Sequence, residues 1–212
     1  DLGPMIRSLF IPEDGCMWGC FDYNQQEPRL VVHYASLQQL PSAFTVVDAY
    51  KEGNADFHKI VADMAQIPRT QAKTINLGLF YGMGKAKLQA ELGVSKEKAD
   101  DLFITYHSKV PFVKQLMNSV SQRAHQRGQI RTLLGRLCRF HLWEPNSFGM
   151  HKALPFKEAV QEHGPGIRRA YTYKALNKLI QGSAADMTKK SMLELHKEGI
   201  IPHIQIHDEL EI

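Results

Sequence analysis

The sequence predicts an α+β fold, a small antiparallel sheet carrying a large helical insertion. Three observations point that way. Strand-like runs lie towards the two ends of the chain, at 5–10, 17–21 and 200–212. Between them helical spacing continues for more than a hundred residues, broken mainly by Gly, Pro and Asn. The few β pieces have little to pair with except one another, so pairing them brings the two ends of the chain together. With 212 residues, 43% of them hydrophobic, the chain can bury a sizeable core in one large or two small domains.

In chain order, the two opening strands are separated by the turn-rich Pro12-Glu13-Asp14-Gly15. The second runs straight into Asp22. Pro28 is tolerated only in a first helical turn, so a helix should begin near Asn24 or Gln25, with Leu30, Val31, Tyr34 and Leu37 as its apolar side. Asp22 thus sits at a strand-to-helix junction. Helices are expected over 43–53, 56–64 and 68–84, and a short one through Leu92. Ser95 can cap another that reaches Val110, and Pro111 opens one ending near Gly128. Residues 129–139 fit either strand or helix. The Pro- and Gly-rich stretch 144–166 reads as an exposed connection, and 168–198 is helical again, with Gly199 as its stop. In the last run, His207-Asp208-Glu209 interrupts apolar alternation. A tight turn there would place the trio at the tip of a hairpin.

Net charge is only +4, but its distribution is uneven. No Asp or Glu occurs between Leu102 and Trp143, whereas Lys109, Lys114, Arg123, Arg127, Arg131, Arg136 and Arg139 all do. Such a tract faces either water or an anionic partner, and nucleic acid is the partner it suits. The three cysteines, Cys16, Cys20 and Cys138, form no C-x-x-C pair, which speaks against a disulfide framework or a zinc site and for reduced thiols. No apolar run approaches the ~20 residues of a membrane helix, so no membrane partner is expected. The chain starts without Met and ends inside a strand-like run, and reads as a fragment of a longer intracellular polypeptide.

The stretch 68–84, PRTQAKTINLGLFYGMG, organises the rest. Pro68 suits the first helical position, and Arg69, Lys73, Leu77 and Phe80 recur on one face. Cations lie at the start of that face, where the helix dipole also favours phosphate. Leu77, Phe80 and Tyr81 lie at its end, where a flat base could stack. An ordinary amphipathic helix is the alternative. Metal-binding carboxylates elsewhere strengthen the nucleotide reading. Asp22 and Asp208, at adjacent strand ends, would form an oxygen-ligand site for Mg²⁺. Two such ions, ~4 Å apart, can hold both the attacking and the leaving oxygen of a phosphoryl transfer. Taken singly, Asp22 could equally be a helix N-cap and 207–209 a polar turn.

Several segments together resemble the DNA polymerase I-like, family A DNA polymerases. Asp22-Tyr23-Asn24-Gln25-Gln26-Glu27-Pro28-Arg29 looks like the family's first signature, D-Y-S-Q-I-E-L-R. Arg69-x-x-x-Lys73 with Tyr81-Gly82 resembles the second, and Gln205-Ile206-His207-Asp208-Glu209 the third, Q-V-H-D-E. Asn177-x-x-x-Gln181-Gly182-Ser183-Ala184-Ala185-Asp186 and Thr132-Leu133-Leu134-Gly135-Arg136 also match, so the ordered set covers nearly the whole chain.

The resemblance implies part of a polymerase right hand, with palm at 1–40, fingers at 41–166 and a truncated second part of the palm at 167–212. It implies two Mg²⁺ ions held by Asp22, Asp208 and the Tyr23 carbonyl, with Glu209 and Lys73 also among the catalytic groups. Arg69, Lys73 and His58 would hold the triphosphate of a deoxynucleotide. Gln25, Leu77 and Tyr81 would complete the nucleotide site, and Glu27 would be the steric gate against a 2′-hydroxyl. Gln181, His207 and Arg136 would touch primer-template DNA. The location implied is the cytoplasm of a bacterial or phage-infected cell. Leu77 departs from the aromatic residue common in the family, and Asn24, Gln26 and Pro28 alter the first signature. No thumb or proofreading exonuclease is recognisable. A single-subunit RNA polymerase and a non-catalytic nucleic-acid-binding protein are the rival readings; Glu27 argues against the first and the Asp22/Asp208 pair against the second.

Overall fold

The computed structural model describes residues 5, 6, 8–53, 55–80, 83–147 and 149–212. Its elements begin with β1 (Cys20–Asp22), α1 (Gln26–Leu37), α2 (Ala43–Lys51), α3 (Phe57–Ala65), α4 (Arg69–Phe80), α5 (Lys85–Leu92), α6 (Lys96–Lys109) and α7 (Pro111–Arg127). There follow β2 (Gln129–Arg131), β3 (Leu137–Arg139), β4 (Leu142–Pro145), β5 (Leu154–Pro155), α8 (Phe156–His163), β6 (Ile167–Arg169), α9 (Ala175–Lys197), β7 (Ile204–Ile206) and β8 (Glu209–Glu211).

The expected sheet is present, in the order β1-β8-β7 and antiparallel throughout. Cys20 pairs with Glu211, Phe21 with Leu210 and Asp22 with Glu209. Because alternate residues of a strand share a face and directly paired residues lie side by side, Asp22, Glu209, Cys20 and Glu211 occupy one face. Phe21 and Leu210 occupy the other. The β7–β8 turn is made by His207, which adopts a left-handed φ of 54°, and Asp208.

Helix ends follow local chemistry. The Asp56 carboxylate accepts from the His58 and Lys59 amides and caps α3, while Ser95 accepts from Lys98 and caps α6. Pro111 opens α7, where its missing N–H costs no bond. Gly128 closes α7 at φ 67°, a conformation that favours glycine, and a Cβ there would lie 2.7 Å from the Arg169 guanidinium and have to displace it. One continuous core joins α1–α4, α6, α7 and α9. Phe57, Phe80 and Phe112 meet in it at ring distances of 5.9 and 6.4 Å from Phe57.

Several expectations are corrected. None of the described residues of 5–10 is in a strand; the Leu9 amide bonds the Ile6 carbonyl, a helical-type turn. The strand expected at 17–21 is shorter and shifted to Cys20–Asp22, with Gly19 exchanging backbone bonds with Ile212 just before it. Leu37, the last residue of α1, is exposed rather than part of its apolar side. Residues 129–139 contain the β2–β3 hairpin. The stretch 144–166 is not merely a connection: with β4 and β6 it builds a second three-stranded sheet, ordered β5-β4-β6, on which α8 packs through Phe156 against Trp143. The start of the 168–198 helix is displaced as well, because Ile167–Arg169 pairs with β4 and α9 begins at Ala175.

Candidate active site

The end of β1, the start of α1, the mid-part of α4, α9 and the β7–β8 turn surround one cleft of about 730 Å³. Of the residues singled out from the sequence, Asp22, Tyr23, Gln25, Glu27, His58, Lys73, Leu77, Gln181, His207 and Asp208 all line it. Gln26, Pro28, Ala184, Ala185 and Gln205, which belong to the motifs but have no assigned role, and Thr188, which no motif contains, complete the lining. Glu209 sits one residue beyond the turn, paired with Asp22. Tyr81 lies outside the described residues.

The two carboxylate segments are tied together directly: the Tyr23 amide donates to the Asp208 carbonyl at 3.3 Å. The Gln205 amide donates to the His207 carbonyl at 2.6 Å, bracing the turn from the β7 side. The Tyr23 hydroxyl bonds Ser191 of α9, fixing the residue whose carbonyl the family resemblance would place on the metal. The donor set fits a hard divalent cation, since Asp22, Asp208 and the Tyr23 carbonyl offer only oxygen. On the same sheet face, ligand atoms of Cys20, Glu209 and Glu211 also lie within 4.8 Å of one another.

On the opposite wall, Lys73 projects from the first half of α4 with no ion-pair partner among the described residues. His58 is only 7% exposed. Its Nδ1 lies 3.0 Å from Nδ2 of Asn76, and the Tyr106 hydroxyl donates to Oδ1 of Asn76 at 2.6 Å. Burial is the main force pushing the His58 pKa below its ordinary value; Asp56 pulls the other way and the Arg69 and Lys73 charges add to the lowering. The ring is therefore neutral at pH 7.

Three residues sit differently from expectation. Arg69 is outside the cleft lining and ion-pairs with Asp56, at 2.5 Å from Nη2, so the α3 cap and the α4 cation share one carboxylate. Phe80 is buried in the core rather than presented at the end of the α4 face, because the Phe57 side of the helix is the one covered. Gln25 lines the cleft, but its side chain is engaged by the protein. Its carbonyl oxygen accepts from the Phe57 amide at 2.8 Å and from the Tyr50 hydroxyl at 3.2 Å, and its amide donates to the Ala55 carbonyl at 3.0 Å.

Arg136 also has an internal partner. It donates to Asp186 at 2.8 Å and to the Gly182 carbonyl at 2.7 Å, while Thr132 bonds the other oxygen of Asp186. The β2–β3 turn is thereby locked onto α9, at a place where a Cβ on Gly182 would come within 2.8 Å of the Thr132 methyl. Burial alone would raise the Asp186 pKa, but the bonds from Thr132 and Arg136 outweigh it and hold the carboxyl below its ordinary range.

A small antiparallel sheet with acidic groups at its strand ends, facing a cationic helix across a nucleotide-sized cleft, is the arrangement expected of a nucleotidyl-transfer enzyme. The sequence matches the model of DNA polymerase family A over residues 1–212, and the chain belongs to that family. Among curated relatives, the DNA-directed DNA polymerase of Pseudomonas phage M6 is 35% identical over 97% of this chain and 34% of its own length. DNA polymerase I of Geobacillus stearothermophilus is 32% identical over 98% of this chain and 23% of its own. The solved POL domain of Pol1 from M. smegmatis, in complex with DNA primer-template and dNTP, superposes with a TM-score of 0.70 at 25% identity, covering 95% of this chain and 34% of that one. The chain thus spans about a third or less of the relatives it matches. No helix among the described residues is long and apolar enough to cross a membrane.

Proposed function

We propose that this chain is the palm-and-fingers part of a template-directed DNA polymerase that adds deoxynucleotides to a primer 3′ end. The observation that carries the reading is the single cleft in which Asp22 and Asp208 face Lys73 and His58. On this reading the palm comprises 1–40 and 167–212 and the fingers 41–166. The partners are primer-template DNA and deoxynucleoside triphosphates, and the location is intracellular, in keeping with phage and bacterial relatives.

Asp22, Asp208 and the Tyr23 carbonyl would hold two Mg²⁺ ions, with Glu209 behind Asp22 on the same sheet face. When bound, the metals lower the pKa of the primer 3′-hydroxyl and neutralise charge on the leaving pyrophosphate. The protein's own groups bind and orient. Lys73, which lines the cleft, would neutralise the triphosphate and supply a proton to the leaving pyrophosphate. His58 donates a hydrogen bond to a phosphate oxygen. Arg69, anchored on Asp56, adds positive potential at the start of α4 and can share its guanidinium with phosphate. Leu77 packs on the base and sugar. Glu27 fills the space a 2′-hydroxyl would need, and Gln25 holds its helix start against the fingers. Gln181 and His207 lie beside the duplex, and Arg136, locked on Asp186, presents its remaining edge to backbone phosphate.

The test is primer extension by the full-length polymerase. Asp208→Ala is expected to abolish extension while duplex binding persists; full extension by that variant, or by wild type in excess chelator, would sink the two-metal reading. Glu27→Ala should lower the ratio of kcat/KM for deoxy- over ribonucleotides, and an unchanged ratio would return weight to an RNA polymerase.

A further inference from the structure

Asn76 and Tyr106 are fully buried and are not among the residues that line the cleft, yet they form a chain that ends on His58. We propose that Tyr106 and Asn76 are positioning residues that fix the tautomer of His58, so that Nδ1 accepts inside the protein and Nε2–H is the donor offered to the cleft. The proposal rests on the reading of the cleft as a triphosphate site.

Geometry sets the direction of the chain. A contact of 2.6 Å suits O–H···O and is short for N–H···O, so the Tyr106 hydroxyl meets the amide oxygen of Asn76 rather than its nitrogen. The other end of the amide, Nδ2, then faces His58 at 3.0 Å, an N–H···N distance. An amide nitrogen can only donate, so Nδ1 of His58 must be the acceptor, and in a neutral ring the hydrogen is left on Nε2. Nε2 has no partner among the described residues and is not sealed from solvent, while His58 lines the cleft. Burial pushes the Tyr106 pKa far up, so its hydroxyl stays a donor over the working pH range. The opposite tautomer would turn a lone pair towards a phosphate oxygen.

The chain also links three elements: Tyr106 is on α6, Asn76 on α4 and His58 on α3. Asn76 lies three residues beyond Lys73 on the same helix, so the cation and the neutral donor are set by one rigid element. An apolar residue at 76 would leave His58 free to adopt either tautomer.

The experiment uses full-length polymerase with ¹⁵N-labelled histidine at neutral pH, the His58 signals being assigned by their loss in His58→Ala. Wild type is expected to show Nδ1 as an unprotonated and Nε2 as a protonated nitrogen. Tyr106→Phe, which frees the Asn76 amide to rotate, should bring up the second tautomer. It and Asn76→Leu should each raise KM for deoxynucleotide by about 3- to 10-fold, the scale of one mis-set hydrogen bond, with duplex affinity unchanged. In a His58→Ala background the same substitutions should add less than about 2-fold, because residues acting through one group are not additive. A protonated Nδ1 in wild type overturns the proposal outright. So does an unchanged KM in both relay variants while His58→Ala raises it. If His58→Ala itself leaves KM unchanged although Nε2 is protonated, the assignment of His58 to the triphosphate falls, and the role of the relay with it.

Discussion

The two walls of the cleft are built differently. The wall carrying Lys73 and His58 belongs to a helical body in which Phe57, Ile75, Tyr106 and Phe112 are fully buried. The wall carrying Asp22 and Asp208 rests on three strands of three residues each, and every residue of β1 is exposed. The helical wall holds its polar groups by packing and by buried hydrogen bonds. The sheet wall holds its carboxylates by a few backbone bonds and the Tyr23–Ser191 contact. Positions proposed to meet the triphosphate are therefore preorganised by the core, whereas positions proposed to hold metal sit on the softer side.

The comparison can be broken by stability measurements on full-length protein. Phe57→Ala should cost about 3–5 kcal/mol in denaturant unfolding, because it empties a site bounded by Phe80 and Phe112. Phe21→Ala, at a side chain 61% exposed on the sheet, should stay within about 0.5 kcal/mol. Equal costs would show that the sheet is as well anchored as the body. Next in size is Lys73→Ala, which should weaken nucleotide binding by about 1.5–3 kcal/mol while duplex affinity holds, since one charge-assisted contact to phosphate is lost. An unchanged nucleotide dependence would remove Lys73 from the triphosphate.

A third measurement sharpens the contrast through pH. The carboxyl of Asp186 is held below its ordinary range, so the stability it adds is present above the unfolded value near ~4 and disappears as pH falls through the folded one. Asp186→Asn should therefore destabilise at pH 7 and progressively less below about pH 4; a pH-independent difference would mean that the charge is not what locks the β2–β3 turn to α9. The smallest effect is kinetic: amide hydrogens of β1 and β8 should exchange earlier than those of α4 and α7. Simultaneous exchange would erase the distinction between the walls.

Much of the site was legible because its residues cluster in short motifs. Asp22 with Glu27, Lys73 with Leu77, and His207 with Asp208 each lie within a few residues of one another, and one strand pairing brings the first and last of these motifs together. Tertiary partners were not legible. Nothing near Arg136 announces Asp186, fifty residues on, and nothing near Arg69 announces that the Asp56 cap would take a second bond. Phe80 followed the helical face in sequence, but burial is decided by what packs alongside, and Phe57 lies on another helix. The sheet containing β4 was missed for a related reason. β5 has two residues, and the bonding that holds the region includes Arg169 stacked 4.5 Å over Trp143, a pairing across many residues of chain. Asn76 carried no chemical signal, because a buried amide and a solvated one look alike in sequence.

The pairing of β1 with β8 has a consequence for the order of events during synthesis. Cys20 waits for Glu211, about 190 residues later, and closing so long a loop carries an entropy cost that local helices do not. A ribosome adding ~5–20 residues per second would hold Asp22 without its partner strand for ~10–40 s. The helices between can nucleate in that interval, so the chain would assemble the Lys73 wall first and join the Asp22 and Asp208 segments only when β8 arrives. Until then a nascent chain presents the Lys73 side of the cleft without the joined Asp22 and Asp208 segments, so the wall built on the sheet is completed after the wall built on helices.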